Sequence, residues 1–289
     1  MLAYIQLCRP KHWLKNILVF FPLIFAFKFD LESFYRVFLA FGVFSLFASS
    51  IYIINDIFDQ KRDRLHPKKC FRPIASGKIK TWPAFLEFII VLTAAFAVST
   101  YLGATVFYLC IGYFIVNLFY SFGLKNLPIV DVMIIAFGFV LRVFVGAEAL
   151  ALNPTHWLLL CTFFVALFLA FGKRKNEMEL LTVDKTGHRK SISDYTESFI
   201  NQMLALTAGV SVISYSLYTI DPQTQTNFRT DNLIYTTPLV VFGIFRYFHL
   251  LYNKREGGDP VAVFFHDIPL IIDMLLWLGS ILIIYFIAQ

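Results

Sequence analysis

Charge is scarce in this sequence. Asp, Glu, Lys and Arg make up 15% of its 289 residues, where soluble domains carry roughly a quarter. A water-soluble globule is therefore excluded. Cysteine is scarce too: Cys8, Cys70, Cys110 and Cys161 have no paired spacing and no CxxC. That excludes a disulfide framework and a zinc site, and free thiols are expected. The start, "MLAYIQLCRPKHWLKN", places basic residues before an apolar run but lacks the small-residue pattern of a cleavable signal peptide. Low-complexity stretches and close repeats are missing as well.

What fills the chain instead is hydrophobic: 58% of residues, with a mean hydropathy of +0.68. Apolar runs near the ~20 residues needed to cross a bilayer recur from end to end. Taken between polar breaks, they predict nine membrane helices, near 14–28, 37–56, 84–100, 103–120, 130–150, 157–171, 198–220, 234–250 and 268–287. Helices satisfy their own backbone hydrogen bonds, which lipid cannot do. The expected fold is all-α, a polytopic membrane helical bundle forming one integral domain over residues 1–289.

The cations give the expected orientation. With the N-terminus in the cytoplasm, alternate connections collect Arg9, Lys11 and Lys15, the eight from Lys61 to Lys80, Lys125, the six from Lys173 to Lys190, and Arg246, Lys254 and Arg255. Only Lys28, Arg36 and Arg229 fall outside, and Arg142 falls within a helix. This separation follows the positive-inside rule. Two cytoplasmic connections, 57–83 and 172–197, are long enough to be functional and are expected as ordered caps. The membrane accounts for the basic balance, so no nucleic-acid partner is expected.

Where the second helix leaves the membrane the sequence reads "NDIFDQKRDRLHPKKCFRPIASG". Asp56, Asp59 and Asp63 stand at i, i+3 and i+7, which puts three carboxylates on one helix face. Like charges this close repel, so a cation should compensate them. Oxygen-only ligands point to Mg²⁺, which takes one or two carboxylates and completes its octahedron with water and substrate phosphates. Asn55 adds an amide for a phosphate or a metal-bound water. The alternative is a solvated helix end whose acids pair with Lys61, Arg62 and Arg64. His66, Lys68, Lys69, Arg72 and Lys78 follow as the cationic half of a phosphate site, with Arg72 suited to bidentate recognition.

A second constellation belongs to the same expected side. "YSFGLKNLPIVD" offers Tyr120, Lys125 and Asp131, and the fifth helix continues to the costly intramembrane Arg142. Asp131, Ile135, Gly138, Arg142 and Gly146 form one stripe, and Glu148 is a candidate counter-ion for Arg142. "FGKRKNE" closes the sixth helix with Lys173, Arg174, Lys175 and Glu177.

The pattern Asn55-Asp56-x-x-Asp59-x-x-x-Asp63 resembles the first aspartate motif of the UbiA superfamily of intramembrane prenyltransferases. "RPKHWLKN", "DRLHPKKCFRPIASG", "YSFGLK", "GFVLRVFVGA", "FGKRKNE" and "FRYFHLLY" are similar to the decaprenyl-phosphate phosphoribosyltransferase branch. The resemblance runs along nearly the whole chain and implies nine helices around a central cavity. The second aspartate motif of the prenyltransferases, DxxxD after the sixth helix, is absent; "GKRKNEMELLTVDK" stands there. The acidic pair by which soluble phosphoribosyltransferases hold ribose phosphate is missing as well. The expected activity is Mg²⁺-dependent transfer of 5-phosphoribose from phosphoribosyl pyrophosphate to a polyprenyl phosphate. Lys15, Lys125, Arg142, Lys173 and Arg174 would hold the lipid phosphate or the ribose 5-phosphate, and the basic stretches around 66–78 and 173–174 would border one cavity mouth. The rival enzyme is a UbiA-type prenyltransferase acting on an aromatic or other acceptor; the rival of another class is a transporter or channel with charged gates.

Overall fold

The computed structural model describes residues 2–66, 69–181, 194–254, 263 and 266–288. The chain divides into two compact units, Met1–Leu124 with Leu141–Asn153, and Lys125–Val140 with Pro154–Gln289.

The first unit begins with α1 (Leu2–Cys8), a 3-10 helix over Pro10–Phe20 and a short α2 (Phe21–Phe25). The sequence predicts an ordinary first span over 14–28, and the structure departs from that for a definable reason. Trp13, Asn16, Val19, Pro22 and Phe25 recur every third residue, and all but the half-buried Trp13 are buried. In a 3-10 helix residues three apart eclipse one another, so this winding aligns Trp13, Asn16 and Val19, and α2 adds Pro22 and Phe25. Trp13 Nε1 donates to Ser49 Oγ at 3.0 Å and Asn16 Nδ2 to Ser45 Oγ at 3.0 Å. At roughly 2.0 Å rise per 3-10 residue and 1.5 Å per α residue, the run covers about 30 Å, close to the hydrocarbon thickness.

Helix α3 (Leu31–Phe58) starts six residues before its predicted position, because Asp30 caps it by accepting from the Ser33 amide at 2.9 Å. It is the central helix of this unit. Of its most apolar window 67% is buried, against 17% for α5 (Thr81–Leu102) and for α6 (Ala104–Phe122). Phe44, Phe47, Ala95, Tyr113 and Val145 belong to its core. Between α3 and α5 lie α4 (Gln60–Asp63) and a 3-10 turn over Lys69–Phe71.

Helix α7 (Val130–Ala149) contributes to each unit in turn. In the second unit α8 (His156–Leu181) runs ten residues beyond its predicted end at 171. The stretch "KRKNE" is therefore helix rather than the beginning of a cap. Helix α8 packs along α9 (Glu197–Ile220). After α10 (Pro222–Phe228) and a 3-10 turn, α11 (Thr237–His249) continues through a π turn over Leu250–Lys254, and α12 (Ile268–Ala288) follows. Phe168, Phe171, Leu204, Tyr247 and Leu250 form the core of this unit.

Eight helical stretches among the described residues are long and apolar enough to span a membrane. The predicted nine is not reproduced, and the 3-10 winding of the first segment is the difference.

Candidate active site

Helix α3 stops at Phe58, yet the chain keeps a helical path through Asp59. The Asp59 amide donates to Asn55 O at 2.8 Å, and the Asp63 amide donates to Asp59 O at 2.8 Å. Asp56 and Asp63, two turns apart, thus present their carboxylates to one cation. Arg72 Nη1 donates to Asp63 Oδ2 at 2.6 Å and to Asp56 Oδ1 at 3.1 Å. Arg9 Nη2 donates to the same Asp56 oxygen at 2.5 Å. Both carboxyl groups are buried, at 2% and 3% exposure. The alternative of pairing with Lys61, Arg62 and Arg64 is not what the structure shows for these two acids.

A tight turn aims Arg72. The Ser76 amide donates to Arg72 O, Gly77 N–H to Ile74 O and Ile79 N–H to Pro73 O. Gly77 takes φ 77°, where only glycine rests without strain. Arg64 Nε donates to Ala75 O at 3.2 Å, tying α4's end to this turn. His66 Nδ1 accepts from the Lys69 amide at 3.3 Å, so its ring shapes the loop. Lys68 lies outside the described residues. Asn55, Asp59 and Lys15 are half-buried, and Lys78 is exposed.

The three carboxylates predicted for one helix face do not gather as a set. Among the described residues no group of three His, Cys, Asp or Glu side chains could hold a metal ion. Two buried carboxylates on one cation remain. That hard-oxygen pair fits Mg²⁺, which needs only one or two protein carboxylates when water and substrate phosphate supply the rest.

Arg142, inside α7, belongs to the first unit. Its Nε donates to Asn16 Oδ1 at 2.8 Å and its Nη2 to Tyr113 OH at 3.4 Å. Its guanidinium lies 4.8 Å from the Phe44 ring centre and 5.4 Å from that of Tyr113. An amide and two ring faces are among its partners.

In the second unit Asp131, on the first turn of α7, meets Arg174 of α8. Arg174 Nε donates to Asp131 Oδ2 at 2.7 Å, and its Nη1 pairs with the Glu177 carboxylate. The Tyr195 hydroxyl donates to Asp131 Oδ1 at 2.8 Å and accepts from the Ile129 amide at 2.6 Å. Burial raises the Tyr195 phenol above its ordinary range, which keeps it a proton donor. Ile129 is held at φ 67°, a strained position for a β-branched residue. Lys175, buried, reaches Asn201 Oδ1 at 3.0 Å, Glu179 at 3.6 Å, Glu197 at 3.7 Å and the face of Tyr252. Lys173 keeps 43% of its side chain exposed, 4.0 Å from Glu177. Tyr120, on the last turn of α6, and Lys125, in the 3-10 turn Leu124–Asn126, are both half-buried.

In the sequence Arg9 reads only as a topological charge, and Asn16 and Tyr195 are not among the candidate site residues. The three-residue spacing of Trp13, Asn16 and Val19 was a usable signal for Asn16. For Tyr195, 64 residues from its partner, the sequence carries none.

The profile of the UbiA prenyltransferase family matches residues 17–268. The chain belongs to that family. Curated relatives agree. The decaprenyl-phosphate phosphoribosyltransferase of Mycolicibacterium smegmatis is 34% identical over 96% of this chain and 90% of its own length. The enzyme of the same name from Corynebacterium glutamicum is 32% identical over 98% and 86%. Among solved structures, a UbiA homologue from Archaeoglobus fulgidus bound to GPP and Mg²⁺ superposes with a TM-score of 0.70 at 19% identity, over 98% of this chain and 99% of that one. As a UbiA-family chain with eight helical stretches, among the described residues, long and apolar enough to span a membrane, the protein is an integral, multi-pass membrane protein.

Proposed function

We propose that this UbiA-family protein transfers 5-phosphoribose from phosphoribosyl pyrophosphate to the phosphate of a polyprenyl phosphate, with residues 1–289 acting as one transferase domain and the N-terminus and active site on the cytoplasmic side. The observation that carries this reading is the basic extension of α8. Where the prenyltransferase pattern has carboxylates, this chain continues its helix through Lys173, Arg174 and Lys175; Arg174 and Lys175 are paired with protein acids, and Lys173 keeps its side chain 43% exposed. Phosphoribosyl pyrophosphate bears phosphates at both ends of a ribose, so its site needs cations for each; a prenyl diphosphate needs only one such group. The names of the two curated relatives support the same substrates.

In this reading the C1–O bond to pyrophosphate breaks, C1 acquires oxocarbenium character, and an oxygen of the lipid phosphate forms the new bond. An ionised phosphate is already a nucleophile, so no general base is needed. Asp56 and Asp63 would hold the Mg²⁺, with Asp59 and Asn55 alongside; bound there, the ion would supply charge neutralisation for a departing pyrophosphate. Arg72, His66 and Lys68 serve the pyrophosphate. Lys15, Lys125 and Lys173 serve the remaining phosphates. Arg142 would hold the Asn16 and Tyr113 side chains in place, and Arg174 would hold those of Asp131 and Glu177.

Purified protein given radiolabelled phosphoribosyl pyrophosphate, polyprenyl phosphate and Mg²⁺ should yield labelled lipid. Asp56→Asn should lower that rate about 10²-fold or more, at least ~2.7 kcal/mol of transition-state stabilisation. Consumption of a prenyl diphosphate with no use of the sugar would replace this reading by a prenyl transfer.

A further inference from the structure

We infer that Arg9 holds the place of a divalent cation on Asp56, so that the metal and this guanidinium compete for one carboxylate oxygen. The inference rests on the metal reading above and adds a residue to it that lies before the family profile begins at 17.

Charge balance is the starting point. Asp56 and Asp63 contribute two negative charges in a nearly closed setting, and Arg9 and Arg72 contribute two positive ones. These four charges balance. A divalent cation added to it would leave two uncompensated positive charges beside buried groups, where the dielectric is low and the cost is high. Either a guanidinium withdraws or a polyanion enters with the metal.

Of the two arginines, Arg9 is built to withdraw. Arg72 bridges both carboxylates from a loop fixed by three backbone hydrogen bonds. Arg9 forms its ion pair with Asp56 alone among the described residues, and its guanidinium already lies 4.9 Å from the centre of the Tyr52 ring. That ring face offers a cation a second resting place. The Arg9 backbone is left-handed, φ 50° and ψ 59°, at the junction between α1 and the 3-10 helix. Few non-glycine residues adopt this conformation, and here it accompanies a side chain directed at Asp56. Once displaced, the guanidinium stays beside the carboxylates, available to an incoming phosphate. Metal binding and anion binding are thereby coupled through one side chain.

The test uses Mn²⁺ as probe, with free ion read by electron paramagnetic resonance on the purified full-length protein in detergent, without substrate. Arg9→Gln and Arg9→Met are both measured, so that one folded variant suffices, with thermal melting as the check on folding. Removing the competitor should tighten Mn²⁺ binding about tenfold or more, equivalent to roughly 1.4 kcal/mol, while Arg9→Lys stays near wild type. A residue that merely supported the fold would weaken binding on removal, the opposite sign. If a folded Arg9 variant binds Mn²⁺ no more tightly than wild type, while Asp56→Asn abolishes binding, the competition is wrong and the metal reading survives. If neither wild type nor variants bind Mn²⁺, both fall together.

Discussion

Arg142 donates to Asn16 at 2.8 Å, across 126 residues of sequence and inside a helix that spans the membrane. The bond joins α7 to the 3-10 segment, and Asn16 passes it on to Ser45 of α3. Asn16→Ala removes the acceptor of a charged donor in a water-poor interior, where the penalty is about 1–3 kcal/mol and more for charged groups. The melting temperature in detergent should fall clearly. Asn16→Asp keeps an acceptor oxygen and should retain most of the stability. An Asn16→Ala protein that melts with wild type would remove this contact from the account of the fold.

Gly146 meets Val19 at the same junction. A Cβ at Gly146 would run into the Val19 carbonyl, a backbone group that cannot rotate aside. Gly146→Ala should therefore cost about 1–3 kcal/mol or more, as overpacked sites do. Gly42, in α3, has nothing within 4 Å of the equivalent position. Gly42→Ala should be neutral or stabilising by up to ~1 kcal/mol, from helix propensity alone. Paired melting curves decide between close approach and a general intolerance of side chains.

Lys173 and Arg174 are adjacent in sequence and should behave differently. Arg174 is 1% exposed and bonded to Asp131, itself fully buried. Arg174→Ala leaves that carboxylate without its ion pair, and breaking such pairs costs about 3–5 kcal/mol. It should lose stability first, with part recovered in the Arg174→Ala/Asp131→Ala double variant. Lys173→Ala should leave melting unchanged and raise the KM for phosphoribosyl pyrophosphate, by a charge-assisted contact worth about 1.5–3 kcal/mol. Equal effects on melting from both variants would take Lys173 out of the proposed site.

The cysteines test orientation and burial together. Cys70 lies in the connection after α4, so a membrane-impermeant maleimide should reach it from the cytoplasmic side only. Labelling from outside intact cells would reverse the topology. Cys8, at the end of α1, should resist. Burial and the Glu87 carboxylate beside it push its thiol up to about 12. At pH 8 the reactive thiolate is then a small fraction, and alkylation of Cys8 should rise as pH approaches that value.

The membrane helices were legible in the sequence because lipid imposes one requirement, a continuous apolar run with internal hydrogen bonding, and each run meets it locally. Seven of the predicted runs, from 37–56 through 234–250, and the last at 268–287 find their helices in place. The first did not, since the spacing of its buried residues, not its hydropathy, selects 3-10 winding. The acidic and basic composition of the candidate site was equally local, and so was its use of Asp56, Asp63 and Arg72. Which charge neutralises which was not. Arg9 reaches Asp56 over 47 residues, Tyr195 reaches Asp131 over 64, and Arg142 reaches Asn16 over 126. Helical periodicity relates residues within a turn or two. Pairings between distant segments follow from how helices pack, and only the tertiary structure decides them.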